Sequence, residues 1–342
     1  MAAQWLDDLI AQVQGRRHSM RLANLSDMVE AAARRDRRLG TCVLLTLVLG
    51  LTAAGCGIGT SKGVPPRPIS CKSRLQHDLG SQRGRGSPAW ILSAGGLSNL
   101  QEAGLPSFLL RRNFNQPRTI LLVSHGRPDL LAPRASLAFD FTSANELTRA
   151  LNQNRVSAAV SYLLLDLERW PLTPVAEQRD PIGALRRAVS VAHAHHKCVI
   201  FTPALDLVGA IDPGGGASSI YESFYRLIVR PGASVSDVFE VQAQHTEGSP
   251  LARSFAPEAI AAARTVHPDV PVLVGLSTNP NGVRVSALDL LELYDASAAA
   301  GASGYWLNIP RSGAECPRCG EPQTQVAVEF LTILARGGSG SL

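Results

Sequence analysis

Between residues 89 and 336 short apolar runs alternate with helix-length stretches, and this alternation limits the folds open to the chain. The runs at 90–93, 119–124, 157–167, 198–202, 238–243, 271–276 and 304–309 read as strands, with 137–141 as a weaker eighth. They are rich in Val, Ile and Leu and mostly continuous, the pattern of strands buried on both faces. Helical stretches fall between them at 144–152, 180–196, 218–228, 256–266, 286–300 and 323–336. The helix at 180 has Asp180 as its N-cap and Pro181 at its first position. The helix ending at residue 300 stops at Gly301. Strand–helix alternation requires a parallel sheet. Eight repeats over about 250 residues predict an α/β fold of the (β/α)8 TIM-barrel type. A doubly wound open sheet is the alternative that the same alternation permits. No Gly-rich G-x-G-x-x-G follows a strand, so no dinucleotide cofactor is expected.

The strongest run, 159–170, ends in two acids and a tryptophan. Alternate side chains of a strand face opposite ways. Tyr162, Leu164, Asp166 and Glu168 therefore share one face, while Leu163, Leu165 and Leu167 share the other, which a helix layer would cover. In a barrel the C-terminal strand ends form the active rim. Glu168 is the candidate general acid, and Asp166 the neighbour whose charge would raise its pKa. Asp206 is a candidate second carboxylate for glycoside cleavage, which usually uses two. The other rim candidates are His125, Trp170, Gln242, Gln244, Asn279, Trp306 and Asn308, with Glu240 on the face of Gln242. Amides bond hydroxyls and an indole stacks on a pyranose, so this mixture points to a carbohydrate ligand. The plainer alternative is that Asp166 and Glu168 open a solvated loop, and that Thr173, Pro174 and Glu177 fix the loop after them.

Asp166-Leu167-Glu168 closing a hydrophobic strand, with Trp306 on the last one, resembles the chitinase-type (family 18) glycoside hydrolases. Their strand-end motif is Asp-x-x-Asp-x-Asp-x-Glu, of which only the final Asp-x-Glu is matched here. Glu168–Trp170, Thr173-Pro174 and 177–181 resemble secreted actinobacterial barrel proteins from about residue 119 onward. The first resemblance implies carboxylate chemistry on a glycan; the second implies a barrel and no known activity.

The N-terminal third differs in composition. Residues 1–38 form an extension ending in the basic run 34–38, and 39–56 form an apolar segment of signal-peptide type. Ala53-Ala54-Gly55-Cys56 resembles the lipobox of bacterial lipoproteins, which implies lipid attachment at Cys56 and an extracytoplasmic, membrane-anchored protein. Residues 57–88, rich in Gly, Ser, Pro and basic residues, read as a flexible linker to the domain at 89–336. A short tail, 337–342, follows. The net charge is +5, but many basic residues precede the apparent core, so nucleic acid is not an expected partner. Cys316 and Cys319 form a candidate disulfide in an exported chain. Cys198 reads as a small buried hydrophobe, and Cys71 as a linker thiol open to a partner. The histidines at 193, 195 and 196 sit at a helix end away from the rim, and no metal is expected. The sequence thus predicts a lipid-anchored barrel that either hydrolyses a glycan or only binds one.

Overall fold

The computed structural model describes residues 70–79, 88–123, 131–214 and 219–337. Eight strands close into a barrel in chain order: β1 (Ala89–Ser93), β2 (Thr119–Leu122), β3 (Ser136–Phe141), β4 (Val160–Leu167), β5 (Cys198–Pro203), β6 (Val238–Val241), β7 (Val272–Ser277) and β8 (Gly304–Asn308). Every neighbouring pair is parallel, and β1 pairs with β8 to complete the ring. The expected (β/α)8 barrel is the fold, and the weak eighth strand is β3.

The alternation in β4 separates two cores. Tyr162 and Leu164 point inward and meet Ile91, Ile120, Ile200 and Leu273. Leu163, Leu165 and Leu167 point outward into the helix layer, among Ala184, Leu185 and Ala188. Each fully buried Leu contributes roughly 1.5–3 kcal/mol. The covering helix, Pro181–Ala194, starts as its sequence predicts: Asp180 accepts a bond from the Gly183 N–H at 2.9 Å. The helix predicted at 286–300 spans Ala287–Ala299, and Ser286 and Asp289 form a capping box at its start. The helix predicted at 218–228 begins at Ile220 and widens into a π-turn over Tyr225–Val229, just ahead of Pro231. Proline has no N–H to give the preceding turn and crowds it, which accounts for the widening.

The linker reading of 57–88 needs correction. Cys71–Asp78 is an α-helix that stops the N-terminal end of the barrel, its floor. It escapes sequence notice because CKSRLQHD has few apolar residues. Only Cys71, Leu75 and Leu79, one per turn, reach the inner core. Polar contacts do the rest. Asp78 accepts from the Tyr162 hydroxyl at 2.8 Å and from Ser136 Oγ at 2.9 Å. Arg74 donates to Ser161 Oγ at 2.6 Å, where a register shift sets Leu137 opposite Val160 but Ala138 opposite Tyr162.

Cys71 and Cys198 form a disulfide across a sequence separation of 127. The readings of Cys71 as an open linker thiol and of Cys198 as a free buried hydrophobe are therefore both corrected. Inward-pointing Cys198 at the start of β5 meets the helix that fills the floor. Cys56, the segment 39–56 and His125 lie outside the described residues. Among the described residues no helix is long and apolar enough to cross a membrane.

Candidate active site

The C-terminal strand ends bring four carboxyls into the barrel mouth. Asp166 is the last inward residue of β4, paired in register with Thr202 of β5. Glu168 follows just past the strand and is half-buried. Asp140 lies two residues beyond inward Ala138 on β3, and Glu240 two beyond inward Val238 on β6. Sequence reading missed Asp140 because its strand is weakly apolar and half-exposed at its end. It placed Glu240 on the correct face but gave it no role.

The four groups repel each other's ionisation. Burial, then the charges of Glu168, Asp140 and Glu240, hold the Asp166 carboxyl well above the usual range. Burial, then the charge of Glu315, pushes Asp140 up to about 7. Glu168 is also pushed up to about 7, by burial and then by Asp206. Glu240 is raised by burial and by Glu168. Both Glu240 oxygens and Asp140 Oδ1 are buried without a hydrogen-bond partner.

The amides separate into those that serve the mouth and one that does not. Gln242 donates from Nε2 to Asp166 Oδ1 at 2.6 Å and to the Thr202 carbonyl at 2.9 Å. Gln244 lies beside Glu240 at Gly275: a Cβ on Gly275 would come within 2.6 Å of both side chains. Trp306 pairs in register with Gly275 and is 8% exposed. It therefore offers far less stacking surface than a rim indole would. Asn308 is half-buried at the end of β8.

Asn279 is a correction. It is 2% exposed, and its Nδ2 donates to the Cys319 carbonyl at 2.8 Å and the Pro310 carbonyl at 3.3 Å. Its Oδ1 accepts from Thr278 at 2.9 Å. The side chain is spent on holding the loop after β8. Cys316 and Cys319 in that loop are joined as a disulfide, and Glu315 beside them adds its charge to Asp140 and Glu168.

The loop after β4 is built as the plainer alternative foresaw. The Thr173 hydroxyl accepts from the Trp170 indole N–H at 2.7 Å and donates to the Thr142 carbonyl at 2.9 Å. Trp170 is half-buried, with its N–H already used. Glu177, 1% exposed, accepts from the Ala144 and Asn145 N–H groups at 2.7 and 3.0 Å, capping the helix Ala144–Asn152. Asp206 is exposed and accepts from the Arg169 N–H at 3.0 Å. It sits at the rim, and its charge reaches Glu168.

Two further residues shape the mouth. Glu247 is buried and accepts from the N–H groups of His245 and Ser277 at 2.7 and 2.8 Å, so it ties the loop after β6 to β7. His245, with φ of 100, occupies a backbone region that side-chain-bearing residues rarely adopt. Held strain of this kind concentrates at functional sites.

No protein-family model matches the chain, and no curated protein matches it. Among solved structures it is similar to the carboxyl transferase domain of Rhizobium etli pyruvate carboxylase with pyruvate. The identity is 10% and the TM-score 0.47, over 78% of this chain and 46% of that one. The chain spans 30% of a whole pyruvate carboxylase chain from Rhizobium etli, at a TM-score of 0.42 and 10% identity over 79% of its own length. It is also similar to a sugar phosphate isomerase/epimerase from Parabacteroides distasonis, at 10% identity and a TM-score of 0.42, over 77% of this chain and 98% of that one. At these identities the likeness concerns the backbone alone and says nothing of the chemistry in the mouth.

Proposed function

We propose that this barrel is a carbohydrate-active enzyme that cleaves a glycosidic bond with Glu168 as general acid. The observation that carries the reading is the placement of Glu168 at the mouth, half-exposed, above the buried carboxyls of Asp166, Asp140 and Glu240. A general acid must hold its proton near the working pH and still reach the leaving oxygen. Burial and the charge of Asp206 favour the protonated form of Glu168 near pH 7. Asp166, fixed by Gln242, supplies negative charge beneath the forming oxocarbenium carbon when it ionises. Gln242 and Asn308 are the hydroxyl-binding groups of this reading.

The reading includes export and lipid anchoring at Cys56. The disulfides Cys71–Cys198 and Cys316–Cys319 support it, since such bonds persist in oxidising compartments. Cys56→Ser is expected to move the protein from the membrane to the soluble fraction.

A hydrolysis screen of the full-length chain against defined oligosaccharides tests the catalytic role, with Glu168→Gln alongside. Turnover by the wild type and its loss in the variant is expected. Equal turnover by both would remove Glu168 from the mechanism. Binding by both without turnover would leave recognition as the function.

A further inference from the structure

Among the described residues the mouth gathers negative charge, and no cation acts on its four carboxyls. Asp206 and Glu315 on the rim add to the four carboxyls from β3, β4 and β6. Among the described residues, the charged groups acting on these four are other carboxyls. The rim cation Arg318 acts on His245, which also feels Asp206. The Arg169 guanidinium leans onto Gly209, beyond β5: a Cβ there would meet it at 2.9 Å.

Glu240 points independently to a ligand. It is fully buried, and neither of its oxygens has a donor. Native proteins rarely leave a buried carboxyl so, because it has given up water for nothing. Gly275 lets Glu240 and Gln244 pack together against its backbone, since any Cβ there would collide with Glu240 Oε1 and with Gln244. Asp140 Oδ1 is a second unmatched acceptor in the same cluster.

The spacing says which cation fits. No three of these carboxyls bring oxygens within 4.8 Å of one another. Among the described residues the one set of ligating groups that close is Cys71, Cys198 and Asp237, at the floor. A bare metal ion needs its ligands gathered at one point. An ammonium group needs only one or two carboxylates and can spend its remaining N–H on a neutral oxygen such as Gln244 Oε1, which is also buried without a donor.

We propose that the mouth recognises a protonated primary amine, carried by an amino sugar with a free amino group, over neutral or N-acetylated sugars. The ammonium lies over Asp166, beside Glu240 and Gln244, and supplies the donors that these two lack, while Asp140 adds its charge to that of Asp166. This rests on the carbohydrate reading above and narrows its substrate class. An arriving cation favours the ionised carboxyls, so binding releases protons to solvent.

The test measures binding of three hexasaccharides to the full-length chain: glucosamine, N-acetylglucosamine and cellohexaose. Calorimetry is run below the pKa of the amine, in two buffers of different ionisation enthalpy. Wild type is expected to bind the glucosamine hexamer at least tenfold more tightly than the other two, with proton release. Glu240→Gln, and independently Asp140→Asn, are expected to lose that preference while keeping cooperative thermal melts. Equal or tighter binding of an uncharged hexamer, or a preference untouched by both variants, would overturn the inference, as would failure to bind any of the three. Glu168-dependent cleavage of a neutral glycan without amine preference would overturn the amine inference and leave the glycosidase reading standing. Amine preference lost in both variants, with no cleavage of any glycan, would uphold the inference and sink the catalytic reading.

Discussion

Gln242 of the loop after β6 reaches past β5 to the Asp166 carboxyl on β4, at 2.6 Å. This bond favours the ionised form of a group that every carboxyl neighbour disfavours. Gln242→Leu removes it and drives Asp166 further toward protonation. A hydrogen bond to a charged group contributes about 1.5–3 kcal/mol, so kcat/KM is expected to fall roughly 10–100-fold. The limb of the pH–rate profile that reports ionisation of Asp166 is expected to move to higher pH. An unchanged profile would show that the bond does no work in catalysis.

Acid should stabilise this barrel. Asp140 and Glu247 have folded-state values raised to about 7, from ordinary values of 3.8 and 4.5. Asp166 and Glu240 are raised as well. The folded chain therefore holds protons that the unfolded chain has released. Their stabilising contribution is complete below about pH 4 and is lost as pH rises toward 7. The expected observation is a Tm that falls by several degrees between pH 5 and pH 8. Asp140→Asn is expected to flatten that slope, and a Tm that rises with pH would contradict it.

Gly275→Ala tests the packing beside Glu240. Its methyl would lie 2.6 Å from Glu240 Oε1 and from Gln244, and overpacking a closed site costs about 1–3 kcal/mol. Thermal unfolding should register that loss. Ligand affinity is expected to fall more steeply than stability, since both displaced side chains face the mouth.

Glu177→Ala is the structural control. The residue caps the helix Ala144–Asn152 through two backbone N–H groups and the Ser143 hydroxyl. Leaving these donors unmatched is expected to cost about 1–3 kcal/mol, measured by chemical denaturation. Turnover at low temperature should not change. A loss of activity without loss of stability would move Glu177 into the site.

Cys71→Ser removes the floor disulfide. Closing a loop of more than a hundred residues contributes about 2–5 kcal/mol in the unfolded-chain account, so the denaturation midpoint is expected to drop accordingly. The mouth lies at the other end of the strands, and catalytic constants should hold below the new midpoint.

The barrel was legible because its signals repeat. Continuous apolar strands, Asp180 ahead of Pro181 and Gly301 after the helix at 286–300 are local patterns that tertiary contacts then reinforce. Asp166 and Glu168 were legible for the same reason, since strand alternation alone assigns their face. Asp140 was obscured because β3 is weakly apolar and half-exposed at its end, so no long apolar run announced it. The solitude of Glu240 depends on what other strands fail to bring near it, which no local pattern records. Asn279 misled because an amide at a strand end reads the same whether it meets a sugar or the carbonyl of Cys319. The floor helix stayed hidden because polar bonds to Tyr162, Ser136 and Ser161 hold it, and its cysteine pairs with one 127 positions away.

That long-range pairing also determines how the molecule would bear load. Residues 71 to 198, with β1 to β4 among them, form a closed covalent ring. Tension applied between the two ends of the chain passes from Cys71 through sulfur directly into β5. The first half of the barrel is thereby shielded from stretching, and unfolding under force would have to begin on the C-terminal side of Cys198. In a single-molecule pull the oxidised protein would show a shorter extension than the reduced one, by the contour of that ring.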